Sequence, residues 1–161
     1  MGRRAELLAD RIEEGAAGLA AFAEGLSDSE WRTPVSATDR RSVGLIVHHV
    51  AAVYPIEVDL AKAIAGGNAV TDVSWAVVAD LNSRNAREND GITKADCLAL
   101  LRKNSSEAAA AVRKFTDEEL DRAIAIVRRH GHEIISIASP LLKCVLPDAP
   151  EVAFNAQIKA A

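Results

Sequence analysis

The chain is predicted to be all-α, an up-and-down four-helix bundle with short extra helices. Three observations lead there. Hydrophobic residues make up 49% of the sequence but aromatic ones only 4%, a balance that suits close-packed helices better than a sheet, where aromatic and β-branched side chains are favoured. Long stretches repeat their apolar residues at steps of three and four, the spacing of one helix face. Between them stand residues that start and stop helices: Ser27, Thr93 and Thr116 as caps, Gly66-Gly67 and Asp90-Gly91 as stops.

At 161 residues the chain is long enough to close one hydrophobic core, and residues 1–161 read as a single domain. The formal net charge of −4 is spread rather than blocked, which argues against nucleic acid or an anionic membrane as partners. Cys97 and Cys144 lack CxxC spacing and no signal peptide is evident, so reduced thiols and a soluble, cytoplasmic protein are expected. No apolar run approaches the roughly 20 residues that span a bilayer.

Leu8, Ile12, Gly15, Leu19, Phe22 and Leu26 share one stripe, which predicts a first helix over about residues 3 to 25 that ends near Gly25. Ser27 with Glu30 reads as a capping box opening a short turn, and Pro34 ends regularity. A second helix is expected from about Ser42 to Ala65, kinked at Pro55, with Val43, Ile46, Val50, Val53, Leu60 and Ile64 as its buried stripe. A third starts near Ser74 and stops at Asp90-Gly91. Thr93 caps a fourth, whose Leu98, Leu101, Ala108, Val112 and Phe115 share a face. The box from Thr116 to Glu119 opens another short helix.

Beyond residue 122 the pattern changes. "AIAIV" and "EIISIA" are β-branched runs on either side of "RRHGH"; they predict a small hairpin over about residues 123 to 138, with a helix broken at Gly131 as the rival reading. Pro140, Pro147 and Pro150 exclude one long C-terminal helix. A last, short helix is expected from Ala149 to the end.

Two of the four histidines, His48 and His49, are adjacent in the apolar stretch "SVGLIVHHVAAVYP". On a helix, His49 has Leu45, Ile46, Ala52, Val53 and Ile56 as neighbours three, four and seven residues away, so it is predicted to point into the core or a cavity. His48, beside Gly44, Leu45, Ala51 and Ala52, falls nearer the edge of that stripe and is, with His130 and His132, a weaker candidate for a metal than His49. Periodicity leaves two roles open for His49: a hydrogen-bonded core residue, or a ligand for zinc, nickel or iron(II) in a site needing three protein ligands and one open position. His130 and His132 could chelate as a pair on a strand, or be exposed loop residues. Asn82 and Asn85 lie on the side of Val78, placed either to orient His49 or a water, or at the solvated border of a helix. Trp31 and Trp75 are expected to fill the bundle ends, and Cys97 and Cys144 to be buried structural residues.

The stretch "SVGLIVHHVAAVYPIEVDLAKAIAGG", with "SWAVVADLNSRNARENDGITKADCLALLRKNS" and "FTDEELDRA" after it, resembles the DinB-like superfamily of bacterial four-helix bundles. That group includes mycothiol-dependent maleylpyruvate isomerases and bacillithiol and mycothiol S-transferases. Its members carry a metal-ligating histidine in a pattern of Trp-Ser/Thr-Val, a few apolar residues and His-Leu/Val-Ala. Counting along the pattern places that histidine at His49, followed by Val50-Ala51, with Arg41 at the tryptophan position. The family's other two ligands stand as His-xxx-His or Glu-xxx-His on the last helix. Here Pro150 and Phe154 occupy those places, while Glu151 and Asn155 keep the spacing. The resemblance implies a divalent metal, zinc or nickel, at His49, and a low-molecular-weight thiol as cofactor. It further implies a small electrophile as substrate, transferase or isomerase chemistry, and a homodimer. The alternative is a metal-free bundle of the same fold serving as a non-enzymatic binding or oligomerisation module.

Overall fold

The computed structural model describes residues 2–71 and 74–130, which form a helical bundle, as predicted. The elements are α1 (Arg3–Gly25), α2 (Asp28–Arg32), α3 (Val43–Ala65), α4 (Trp75–Glu88), α5 (Lys94–Val112) and α6 (Asp117–Arg129). Side-chain caps set most of the starts. Ser27, Ser42, Ser74, Thr93 and Thr116 each accept a bond from a backbone N–H in the first turn of the helix they precede, satisfying a donor that has no partner inside the helix. At Ser27 and Thr116 the glutamate three residues on completes the capping box.

The bundle is organised around α5. Both α1 and α3 pack along it and scarcely meet each other, while α6 lies against α3. The seam between α1 and α5 is rich in small residues: Ala5, Ala9, Ala16, Ala20 and Ala23 are buried on α1 together with the expected Leu19, facing a helix that buries Ala108 and Ala109 besides Leu98, Leu101 and Val112. Alanine lets two backbones approach closely, so this stripe is the contact. The larger Leu8 and Ile12 pack partly buried at its flank, and Phe22 is exposed. Arg113, at the C-cap of α5, fastens the same seam by pairing with Glu6, Asp10 and Glu13 of α1.

On α3 the expected stripe holds at Val50 and is corrected elsewhere. The buried residues are Gly44, Leu45, Val47, His48, Val50, Ala51 and Ala65, whereas Val43, Ile46, Val53 and Ile64 are half-buried and Leu60 is exposed. Small residues decide the rotation again. The indole of Trp31 fills the space over Gly44, and α5 approaches at Ala51. Trp31 also donates through Nε1 to the carbonyl of Ile92 at 3.0 Å, tying α2 to the start of α5. The expectation that no stretch could span a bilayer is corrected too: α3, with 23 residues and a mean hydropathy of 1.4, is long and apolar enough by length and composition. In this fold it packs mainly along α5 and also meets α1, α2, α4 and α6.

Two further expectations change. The hairpin is overturned over its first half: residues 123–127 belong to α6, whose buried Ile126 and half-buried Leu120, Ala123, Ile124 and Val127 form a helical stripe. A capping box that starts the helix at Thr116 outweighs the weak strand preference of three β-branched residues. The second half of that hairpin and the helix expected from Ala149 lie outside the described residues, as do Cys144, Glu151 and Asn155. Trp75 fills no bundle end. It is 88% exposed at the start of α4, a helix that buries none of its residues and whose main contact is with α3.

Candidate functional site

The histidines sit on α3 between two anchors. Ahead of the helix, a tight loop is closed by an antiparallel bridge between Pro34 and Ser42. Within it the Arg41 guanidinium grips Asp39, with Nε at 2.9 Å from Oδ1 and Nη2 at 2.5 Å from Oδ2. That pairing pulls the Asp39 carboxyl down to about 2. Ser42 then caps the helix by accepting from the N–H of Leu45 at 3.1 Å.

Gly44, His48 and Ala51 follow at steps of four and three and make one stripe, pressed toward Trp31 and α5. His48 is therefore buried, 5% exposed, and its Nδ1 has no hydrogen-bond partner among the described residues. His49 is turned about 100° away from its neighbour and is half-buried. This reverses the order expected from periodicity, which had given His49 the inward place. The reason is the small-residue stripe: judged by its larger side chains, α3 points one position too far round.

Both imidazoles are held below the ordinary histidine range. Burial lowers His48, helped by the neighbouring charge of His49. Burial also lowers His49, helped by the positive charge of Arg41. At neutral pH each ring is thus uncharged and keeps one nitrogen lone pair. Arg41 acting on His49 is a feature that sequence reasoning missed, because eight residues and a capped helix start separate the two.

A neutral, half-buried imidazole is the right chemistry for one metal ligand, but a catalytic zinc or similar ion needs three. Among the described residues there is no group of three or more His, Cys, Asp or Glu placed to share an ion. The described donor set does not fit a metal. His130 is exposed and forms the C-cap of α6, and His132 lies outside the described residues. Asn82 is exposed. Asn85 is half-buried, and both its backbone carbonyl and its Oδ1 accept from Nδ2 of Asn89 at 2.9 and 3.1 Å, which closes the end of α4. No hydrogen bond joins either asparagine to His48 or His49 among the described residues.

A second buried polar residue near the pair was also missed. Asn104 of α5 is 7% exposed and donates from Nδ2 to the carbonyl of Ala51 at 2.8 Å. The signal for it was present: Pro55 lies inside α3 and has no N–H, so the carbonyl four residues earlier loses its helical donor.

No curated protein and no solved structure matches the chain. A family model does, that of the mycothiol maleylpyruvate isomerase N-terminal domain, over residues 12–133. That span holds α2 to α6 entire, His48, His49, Asn104 and most of α1. The chain therefore belongs to the family of the mycothiol maleylpyruvate isomerase N-terminal domain, a member of the DinB-like superfamily.

Proposed function

We propose that the protein is a thiol-dependent transferase or isomerase acting on a small electrophile, with its site on the half-open flank of α3 around His49. The family is associated with mycothiol-related thiol chemistry. The observation that carries the reading is the state of His49: half-buried on the flank of α3, with its pKa lowered chiefly by burial so that the ring is neutral. An uncharged imidazole accepts a hydrogen bond from a thiol S–H and shares its proton as the sulfur attacks. Its lowered pKa makes full proton removal from a resting thiol unfavourable, so the transfer belongs to the attack itself. The sulfur forms a bond to an electron-poor carbon while the S–H proton passes toward the imidazole. Loss of a leaving group then yields a thioether and a transferase. Rotation about the former double bond, followed by elimination of the thiol, yields an isomerase.

Support for zinc or nickel comes from the family resemblance and the lone pair of His49. The test is turnover by the full chain with mycothiol, read as thiol consumption with a thiol-reactive electrophile and as cis–trans conversion of an electron-poor alkene, with and without added zinc or nickel, beside the His49→Ala variant. Catalysis that disappears in the variant supports the reading. A rate equal to the uncatalysed one under all conditions overturns it and leaves a bundle that binds without catalysing.

A further inference from the structure

We propose that Asn104 is a positioning residue: through the Ala51 carbonyl it sets the rotation of α3 and so decides which histidine is buried and which is presented. This rests on His49 being the residue at the site. Pro55 cannot donate to the carbonyl of Ala51, and its ring crowds that carbonyl outward. Ala51 is fully buried, so solvent is no substitute. The Asn104 amide, itself buried, supplies the missing donor at 2.8 Å from the neighbouring helix. A bond from one helix into the backbone of another is more restrictive than apolar packing, because it is directional and admits one rotation.

The stripe gains a second anchor seven residues earlier, where Trp31 lies over Gly44. His48 falls between the anchors and is driven inside, with His49 on the open flank. The proline is thus the origin of the arrangement. It frees an acceptor one turn after the histidines, and α5 uses that acceptor to hold them in place.

The experiment compares modification of the two histidines by diethyl pyrocarbonate in the folded full chain, located by fragment-ion mass spectrometry. It uses the wild type, Asn104→Ala, Pro55→Ala and the double variant. In the wild type His49 reacts faster than His48. In Asn104→Ala the ratio narrows by about fivefold or more, because the stranded carbonyl seeks another donor and α3 turns. In Pro55→Ala, residue 55 regains an N–H for Ala51, so adding Asn104→Ala to that background leaves the ratio unchanged. A uniform loss of stability moves neither ratio well below the melting temperature, and it is not rescued by changing Pro55. An unaltered ratio in a folded Asn104→Ala protein overturns the proposal. If that single variant does not fold, the comparison of Pro55→Ala with the double variant decides: equal ratios with a folded double variant support it, unequal ratios overturn it. None of these readings needs a thiol or a metal, so a wild type without thiol activity would sink the proposed function and leave this result standing.

Discussion

The indole of Trp31 occupies the space that a side chain at Gly44 would need. A Cβ built on Gly44 would sit 2.7 Å from Cζ2 of the ring and closer still to Cε2 and Nε1. The same Nε1 donates to the Ile92 carbonyl, so the ring cannot move aside without losing that bond.

Gly44→Ala is therefore expected to destabilise the protein by about 1–3 kcal/mol, the usual cost of forcing extra volume into a packed contact. The check is a denaturant titration followed by tryptophan fluorescence in a Trp75→Phe background, since Trp75 is exposed and would mask the signal. The variant should emit further to the red in its native state, as Trp31 loses its enclosed position. An unchanged midpoint and spectrum would mean that α2 and α3 separate without penalty.

Cys97 should be inert in the folded protein. It is fully buried, and burial pushes its thiol up to about 11, leaving roughly one molecule in a thousand as thiolate near pH 8. Iodoacetamide in buffer should leave the Cys97 peptide unmodified, while the same reagent in urea should alkylate it completely. Peptide mapping separates it from Cys144. Ready alkylation without denaturant would contradict the packing of Cys97 against Leu98, Leu101 and Trp31 in the core.

Stability should fall as the solution is acidified through the histidine range. Burial, and then the charge of a neighbour, lowers both His48 and His49 from 6.5. The unfolded chain therefore takes up protons at a pH where the folded one does not. Their contribution is fully present above about 6.5 and is lost as pH drops from there through the folded-state values. The denaturant midpoint should decrease between about pH 7.5 and pH 5, and less steeply in His48→Gln. Paired carboxylates such as Asp39, lowered from 3.8 to about 2, shift in the same sense and lose their contribution only at lower pH. A midpoint that is flat or rises over the histidine window would show that neither ring is held neutral by the fold.

Much of the fold was legible, for reasons that particular residues make plain. Ser27 with Glu30, and Thr116 with Glu119, announce helix starts because the bonds they make lie within four residues of one another. The reading went astray where it weighed side chains by size. Phe22 and Leu60 were expected inside and are exposed, while Ala9, Ala20, Gly44 and Ala51 are inside or against the neighbouring helix. Small residues let helices approach, but which small residues do so depends on what the facing helix offers. That is also why His48 and His49 changed places. At the site, His49 and its pattern could be found by counting, whereas the effect of Arg41 and the bond from Asn104 join residues far apart along the chain.

By itself the sequence determined the helical class, the caps, the stops at Gly66-Gly67 and Asp90-Gly91, and the family resemblance. These depend on interactions within a turn or two of helix, where backbone geometry leaves few alternatives. Only the tertiary structure decided that residues 123–127 are helical, that Trp75 is exposed, and that α3 turns His48 inward. The rotation of α3 depends on contacts across the bundle, Trp31 on Gly44 and Asn104 on a carbonyl that Pro55 leaves without a donor, while the stripe of α6 closes with Ile126 buried on its inner face. Local rules specify where a helix begins. Its rotation is chosen by whichever partner satisfies its buried polar groups and fits its smallest side chains.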